Sequence, residues 1–185
     1  MKWARTLMNW ARPLVVIGSV PVVVAGCAVD RALPAPRCAD GGSALIVAQS
    51  VPTASQIPCL ESLPDGWLVA SVSIDHDGTV VRLDSDRAGD DAATLRLEAE
   101  CDVSNAVSSV TEFPTVARFD RIDRLEPGFR AARYYVFPGG CVSWSFDFDD
   151  DASATESVAI GETLGLVSRE ALNDSLRETF IDEEI

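Results

Sequence analysis

The cysteine that ends Val24-Ala25-Gly26-Cys27 is the residue whose surroundings most clearly indicate a chemical reaction. Before these small residues come a basic start with Lys2, Arg5 and Arg12 and an apolar stretch from Leu14 to Val24. That stretch is shorter than the roughly 20 residues that cross a bilayer, and it is typical of an export signal. We therefore expect residues 1–26 to be a lipoprotein signal peptide, with Cys27 the residue whose thiol receives the lipid.

Two other outcomes stay open for this segment. Cleavage after Ala28, with Gly26 three positions back, would release a soluble protein without Cys27, and a retained signal would leave an uncleaved helix. One acyl chain binds a membrane only marginally, whereas the two or three chains of a bacterial lipoprotein, palmitate among them, anchor it stably. The expected location is the extracytoplasmic face of the cell membrane, with the lipid anchor as the contact to the membrane.

The four remaining cysteines predict two disulfides. An even number of cysteines in an exported chain is typical of a disulfide framework, and four allow three connectivities. We favour the pairing without crossing or nesting, Cys38–Cys59 and Cys101–Cys141. The sequence has no CxxC motif and a single histidine, so we expect no zinc site and no cofactor.

The residues that could support acid–base chemistry have simpler structural interpretations. The only histidine lies in Asp75-His76-Asp77, without a Gly-x-Ser-x-Gly motif elsewhere, and we expect it in a turn. Asp147 and Asp149–Asp151 resemble the start of a calcium loop, but Ala152 and Val158 stand where glycine and a bidentate glutamate are required. We interpret that segment as a solvated strand end, with weak cation binding as the alternative.

Asp84, Asp86 and Arg87 form a charged rim after a predicted hairpin. Ion pairing or turn capping explains such residues, and they are also the first place to seek a recognition surface. A carboxylate-dependent cell-envelope hydrolase is the alternative function, for which Asp84 and Asp86 would need a cleft and a raised pKa on one of them. We expect a binding or structural module of the cell envelope, with an unknown protein or small-molecule ligand, and no enzyme.

The charge of the exported part narrows the range of partners. Three of the 15 basic residues lie in the predicted signal peptide, so 12 remain beside all 29 acidic residues, a net charge of −17. The chain's one lysine is Lys2, which leaves arginine as the only permanent side-chain cation of the mature protein. This balance excludes nucleic acid as a partner and argues against lying flat on anionic lipid. It favours solubility, or attraction to cations or a basic partner.

The sequence predicts one domain from residue 43 to 185, after a tether rich in proline, alanine and glycine at 27–42. Most signals in the domain are β, beginning with an apolar run from Ala44 to Val51. A hairpin from Trp67 to Asp84 is predicted with Asp77-Gly78 at its turn, which pairs Ile74 with Val81.

Three further strands and two helices complete the prediction. Thr94 to Cys101 alternates with Leu95 and Leu97 inward, and Ala132–Phe137 and Cys141–Phe148 flank a Pro-Gly-Gly turn. Continued alternation would put Cys101 inward but Cys141 outward, which conflicts with a bridge between them. Leu172, Leu176 and Phe180 predict a helix after an N-cap at Ser168, with a shorter helix within 154–164. The fold class is thus α+β: an antiparallel sheet with C-terminal helices on one face, stapled by disulfides.

Six segments resemble an uncharacterised family of actinobacterial membrane lipoproteins. They occur in the family's order between about residues 44 and 169: QSVP at 49–52, IPC at 57–59, LPDGW at 63–67, LDSDRAG at 83–89, CDVS at 101–104 and YVFPGGC at 135–141. The preference for arginine over lysine fits such a source. The resemblance implies a membrane lipoprotein and supports the compartment and fold; it assigns no catalytic residue.

Overall fold

The computed structural model describes residues 36–38 and 41–182. Cys27 and the predicted signal peptide lie outside them. The described chain forms, in order, α1 (Gly41–Ser50), β1 (Gln56–Leu60), β2 (Trp67–Asp75), β3 (Gly78–Ser85), β4 (Gly89–Glu98), β5 (Val107–Ser109), β6 (Ala117–Arg124), β7 (Arg130–Phe137), β8 (Gly140–Asp147), α2 (Glu156–Gly161), β9 (Leu164–Ser168) and α3 (Arg169–Asp182). None of the helices in this part of the chain has the length and apolar character needed to cross a membrane.

Seven strands make one antiparallel sheet in the order β2-β3-β4-β8-β7-β6-β5, and β1 pairs with β9 in a separate two-stranded sheet. The large sheet therefore consists of two meanders, β2–β4 and β5–β8, joined where β4 pairs with β8. Its inner face carries the core, with Val81, Leu95 and Trp144 side by side and each almost fully buried. Helix residues Val47, Ile160 and Leu172 belong to the same buried cluster, which confirms the predicted α+β fold.

The first hairpin keeps the predicted faces but not the predicted register. Ile74 pairs with Thr79 and Val72 with Val81, so the predicted pairing was wrong by two residues. His76 and Asp77 form the turn, which the Asp77 N–H closes by donating to Asp75 Oδ1 at 2.9 Å. Because side chains alternate with a period of two, this even shift leaves Val72 and Ile74 on the predicted face. A bulge between Val69 and Ser71 changes the register again, and Trp67 and Val69 are buried at the start of β2.

The apolar run at 44–51 is a helix, although its surroundings indicate strand. Ala44, Val47, Ala48 and Val51 are buried at i, i+3, i+4 and i+7, the spacing of one helix face. Arg169 satisfies the carbonyls at the end of this helix. Its guanidinium donates to the oxygens of Ala48, Val51 and Ala54 at 2.9, 2.8 and 2.7 Å. The C-cap of α1 thus comes from a residue more than 100 positions away, which no local pattern announces.

Both favoured disulfides, Cys38–Cys59 and Cys101–Cys141, are present, with Cα–Cα distances of 5.0 and 5.9 Å. The conflict over side-chain direction disappears because β4 ends at Glu98, three residues before Cys101. Alternation no longer fixes the direction of a cysteine outside the strand. On the N-terminal side, Pro36 is buried and its carbonyl accepts a hydrogen bond from the Leu60 N–H at 2.8 Å. The chain is therefore attached to the domain from Pro36 onward.

The C-terminal helix begins where the sequence predicts. The Ala171 N–H donates to Ser168 Oγ at 3.1 Å, and Leu172 is buried. The shorter predicted helix spans only Glu156–Gly161, because Leu164 already pairs with Leu60 in the small sheet. Strand β9 has no counterpart in the sequence-based prediction.

Candidate functional site

The two acidic segments singled out in the sequence meet at one end of the large sheet. Asp84 and Asp86 lie at the end of β3, and Asp147 is the last residue of β8. Strand β4 pairs with both β3 and β8 and begins with Gly89, Asp90 and Asp91, so its start lies between them. We call this surface the acidic end and define it by eight aspartates: Asp84, Asp86, Asp90, Asp91, Asp147, Asp149, Asp150 and Asp151.

Backbone hydrogen bonds hold the loops of the acidic end together. The Asp149 N–H donates to the Ala88 carbonyl at 3.0 Å, and the Gly128 N–H donates to the Asp150 carbonyl at 3.2 Å. Asp84 Oδ1 accepts the Asp91 N–H at 2.7 Å. Three separate loops are thus fixed to one another, and their carboxylates lie on a shared surface instead of on independent chains.

Arg87, predicted as part of the rim, connects it to α2. Its guanidinium donates to the Asp65 carbonyl at 2.7 Å and lies 3.3 Å from Glu156 Oε1. The other oxygen of Glu156 accepts the indole N–H of Trp67 at 3.2 Å. Sequence analysis missed Glu156 and Trp67, which are 89 residues apart and carry no shared motif. Arg87 therefore links the rim to α2, and both Asp86 and Arg87 remain exposed to solvent.

A shallow concavity of about 580 Å³ lies on the acidic end, lined by Asp90, Asp91, Asp149 and their neighbours. Asp149–Asp151, part of the segment that resembles the start of a calcium loop, form one wall of the concavity. Asp147 does not face this space as a free ligand, since Arg130 Nη2 contacts its two oxygens at 2.8 and 2.6 Å. Hydrogen bonding to Asp147 in turn raises the pKa of Arg130. As predicted, β8 ends here and a turn follows.

Asp75, His76 and Asp77 lie at the opposite end of the sheet. One ligand atom from each falls within 4.8 Å of the others, and all three residues are exposed. The His76 side chain is 90% exposed, with its Nε2 3.4 Å from Asp77 Oδ1. The structure confirms the turn predicted for this histidine, and solvent surrounds its imidazole.

The inner face of the sheet contains a charged network that sequence analysis did not identify. Across the sheet, Leu95 pairs with Trp144, Trp144 with Arg133, and Arg133 with Asp120. Along this row the side chains change from apolar ones in the core to charged ones. Arg118 Nε donates to Asp120 Oδ2 at 3.0 Å, and Arg133 Nε donates to Asp120 Oδ1 at 3.1 Å. Burial alone would raise the pKa of Asp120, but hydrogen bonds from Ser109, Arg118 and Arg133 outweigh it and lower the pKa.

We expect Asp120→Asn to lower the free energy of unfolding at neutral pH by about 1–3 kcal/mol, because two guanidiniums lose a charged acceptor in a partly buried site. The pKa of Asp120 is lower in the folded state than in the unfolded state, so its stabilisation is fully present above the usual value of 3.8 and disappears as the pH falls below it. The difference between wild type and variant should therefore shrink in acid. Denaturant titrations between pH 2 and 7 measure this.

Asp123→Asn is the matched control for this prediction. Asp123 lies on the same strand and pairs with Arg121 at 3.0 Å, but its side chain is 39% exposed. Exposed pairs contribute about 0–1 kcal/mol, so this variant should lose little stability. An Asp120→Asn deficit that is equally large at pH 2 and pH 7 would show that the charge of Asp120 is not what stabilises the fold.

Comparison with known proteins adds no identification: no family model, no curated protein and no solved structure matches the chain.

Proposed function

We propose that this protein is a lipid-anchored, non-catalytic binding module on the extracytoplasmic face of the cell membrane, and that its acidic end recognises a basic protein partner. The observation that carries the proposal is the convergence of two acidic segments, some 60 residues apart in sequence, on one surface with fixed loops. The eight aspartates outnumber the four arginines paired with them, Arg82, Arg87, Arg124 and Arg130. The resulting excess of negative charge steers an oppositely charged partner and sets its orientation. The resemblance to actinobacterial membrane lipoproteins supports the compartment.

The predicted anchor and its short tether limit how far the domain can lie from the membrane. Eight residues lie between Cys27 and Pro36, the first described residue that packs on the domain. The nine Cα–Cα steps from Cys27 to Pro36 reach about 30 Å at most, less than the whole predicted tether would allow. The tether would therefore keep the folded domain near the bilayer.

The carboxylates with a displaced pKa favour binding over catalysis. The Ser104 backbone N–H lowers the pKa of Asp102, and hydrogen bonds lower that of Asp120. Both shifts favour the ionised form, whereas a hydrolase of the alternative class needs one carboxylic acid that stays protonated. Asp84, one member of the acid pair considered for that class, accepts a backbone N–H. These contacts support a structural role for Asp84, Asp102 and Asp120.

The experiment is photo-crosslinking in living cells with the full-length protein. A photoreactive residue at Asp150 reports on the acidic end, and one at Ser73, on the outer face of β2, serves as the control position. We expect a discrete crosslinked partner only from position 150. The purified adduct should carry its crosslink in a lysine- or arginine-rich segment, and adduct formation should weaken as salt rises.

Two triple variants that remove the same amount of negative charge distinguish recognition by the acidic end from an effect of the protein's overall negative charge. Changing Asp90, Asp150 and Asp151 together to asparagine should greatly reduce the adduct. Changing Asp75, Asp77 and Glu100, exposed acids at the opposite end, to their amides should leave it intact. Equal losses from both triple variants, or a crosslink in an acidic segment, would refute recognition by the acidic end. Turnover of an ester, glycoside, peptidoglycan or phosphoester that a single acidic substitution abolishes would instead establish the hydrolase.

A further inference from the structure

A small cleft opens on the inner face of the large sheet, beside α2 and away from the acidic aspartates. Its volume is about 260 Å³, slightly below the range of roughly 300–1,000 Å³ common for ligand pockets. Apolar side chains from β6, β7, β8 and the loop before β7 line one part of it. Arg118, Asp120 and Arg133 line the other, together with Arg121, which pairs with Asp123. We call it the arginine cleft.

The polar part of the arginine cleft carries excess positive charge. Two guanidiniums share the single carboxylate of Asp120, and the three side chains are only 21%, 15% and 28% exposed for Arg118, Arg133 and Asp120. Each guanidinium has five N–H donors. Arg118 uses its Nε and Nη2 for Asp120, and Arg133 uses its Nε for Asp120 and donates a further hydrogen bond to Tyr135. Further donors remain for an anion, and partial burial strengthens such contacts relative to water.

Gly161 makes room for this arginine. A β-carbon at position 161 would collide with Nη1 of Arg133, so only glycine allows the guanidinium to lie against the end of α2. Gly161 is the last residue of α2, and here glycine has a specific steric reason. The position of the Arg133 head group is thus defined by both its carboxylate partner and the helix.

The apolar part of the arginine cleft is formed by Phe129, Ala131 and Phe146, all buried, together with Ile122. Ile122 lines the cleft and is still 61% exposed. An aliphatic chain in the cleft would cover this side chain and bury apolar surface on both molecules.

We propose that the arginine cleft binds a small carboxylate that carries an apolar chain. The carboxylate takes the free donors of Arg133 and Arg118, and the chain lies on Ile122 and the phenylalanines. A basic ligand is disfavoured by two guanidiniums with one counter-charge. This site is separate from the acidic end, which attracts the opposite charge, so the two proposals stand or fall independently.

The test uses the full-length protein in isolated membranes and a diazirine-bearing octanoate as photoreactive probe. Mass spectrometry locates the label, and competition with unlabelled octanoate, acetate and octylamine defines the chemistry. We expect labelling of the segments around Phe129–Arg133 and Phe146, with octanoate competing at least about tenfold better than acetate because its chain is buried. Octylamine should compete no better than acetate.

Three substitutions test the residues. Arg133→Gln and Ile122→Asp should each reduce labelling at least about tenfold, the second at an exposed position where folding is little affected. Arg82→Gln removes the same charge from a 44% exposed arginine on the outer face and should leave labelling unchanged. Equal competition by acetate or octylamine, or equal loss in Arg82→Gln and Arg133→Gln, would overturn the proposal. So would unchanged labelling in Ile122→Asp.

Discussion

Replacing Cys101 and Cys141 together by alanine is expected to lower the free energy of unfolding by about 2–5 kcal/mol. The bridge closes a segment with a sequence separation of 40 residues, for which loop-closure entropy alone gives about 4 kcal/mol. That segment contains β5, β6 and β7, so the bridge links the chain after β4 to the start of β8. It stabilises the joint between the two meanders, where the sheet depends on contacts distant in sequence.

Denaturant unfolding followed by tryptophan fluorescence measures this effect, since Trp67 and Trp144 are both buried. The matched control is Cys38→Ala with Cys59→Ala, which opens a segment with a separation of only 21 residues. Its expected cost is about 3 kcal/mol from the same entropy relation. A loss below about 1 kcal/mol for the Cys101/Cys141 pair, or a clearly larger loss for the control, would contradict the assigned role of the longer bridge.

The hairpin shows how far alternation alone can define a sheet. Pairing Ile74 with Val81 or with Thr79 places the same side chains on the same face, so the hydrophobic pattern cannot distinguish the two registers. The choice depends on Gly78, which begins β3 with φ near +142° and packs against the Leu97 carbonyl of the next strand. That contact belongs to the folded sheet and cannot be derived from the hairpin's own residues.

The candidate sites show the same division between local and long-range information. The sequence singles out Asp84, Asp86 and Asp147–Asp151 because adjacent acids are visible in one dimension. Their convergence requires β4 to pair with β8, a contact between separate meanders. The arginine cleft depends on Arg133, Asp120 and Gly161 together, each of which is an ordinary residue in its own segment. Local patterns therefore predicted β2, β3, β4, β7, β8 and the two C-terminal helices, and the topology determined the sites.

Cys27→Ser is expected to remove the protein from the membrane fraction or to leave it unprocessed. The reason is chemical: the thiol that would carry the diacylglyceryl group is absent, and a hydroxyl does not replace it. Two or three acyl chains anchor a protein stably, and the domain's strong negative charge disfavours adsorption to anionic lipid without them. Fractionation of cells with immunodetection, combined with intact mass spectrometry, measures both consequences.

The wild-type mass distinguishes the three fates of the N-terminal segment. A mature chain that begins at Cys27 with added acyl mass supports lipidation, a chain that begins at Val29 supports conventional cleavage after Ala28, and a chain with the intact signal supports a retained helix. Changing Cys38 and Cys59 together to serine is the control, because it removes cysteines from the mature chain without touching the acceptor. That variant should stay in the membrane fraction even though its domain is less stable. Unchanged membrane partition and unchanged mass after Cys27→Ser would refute the lipid anchor.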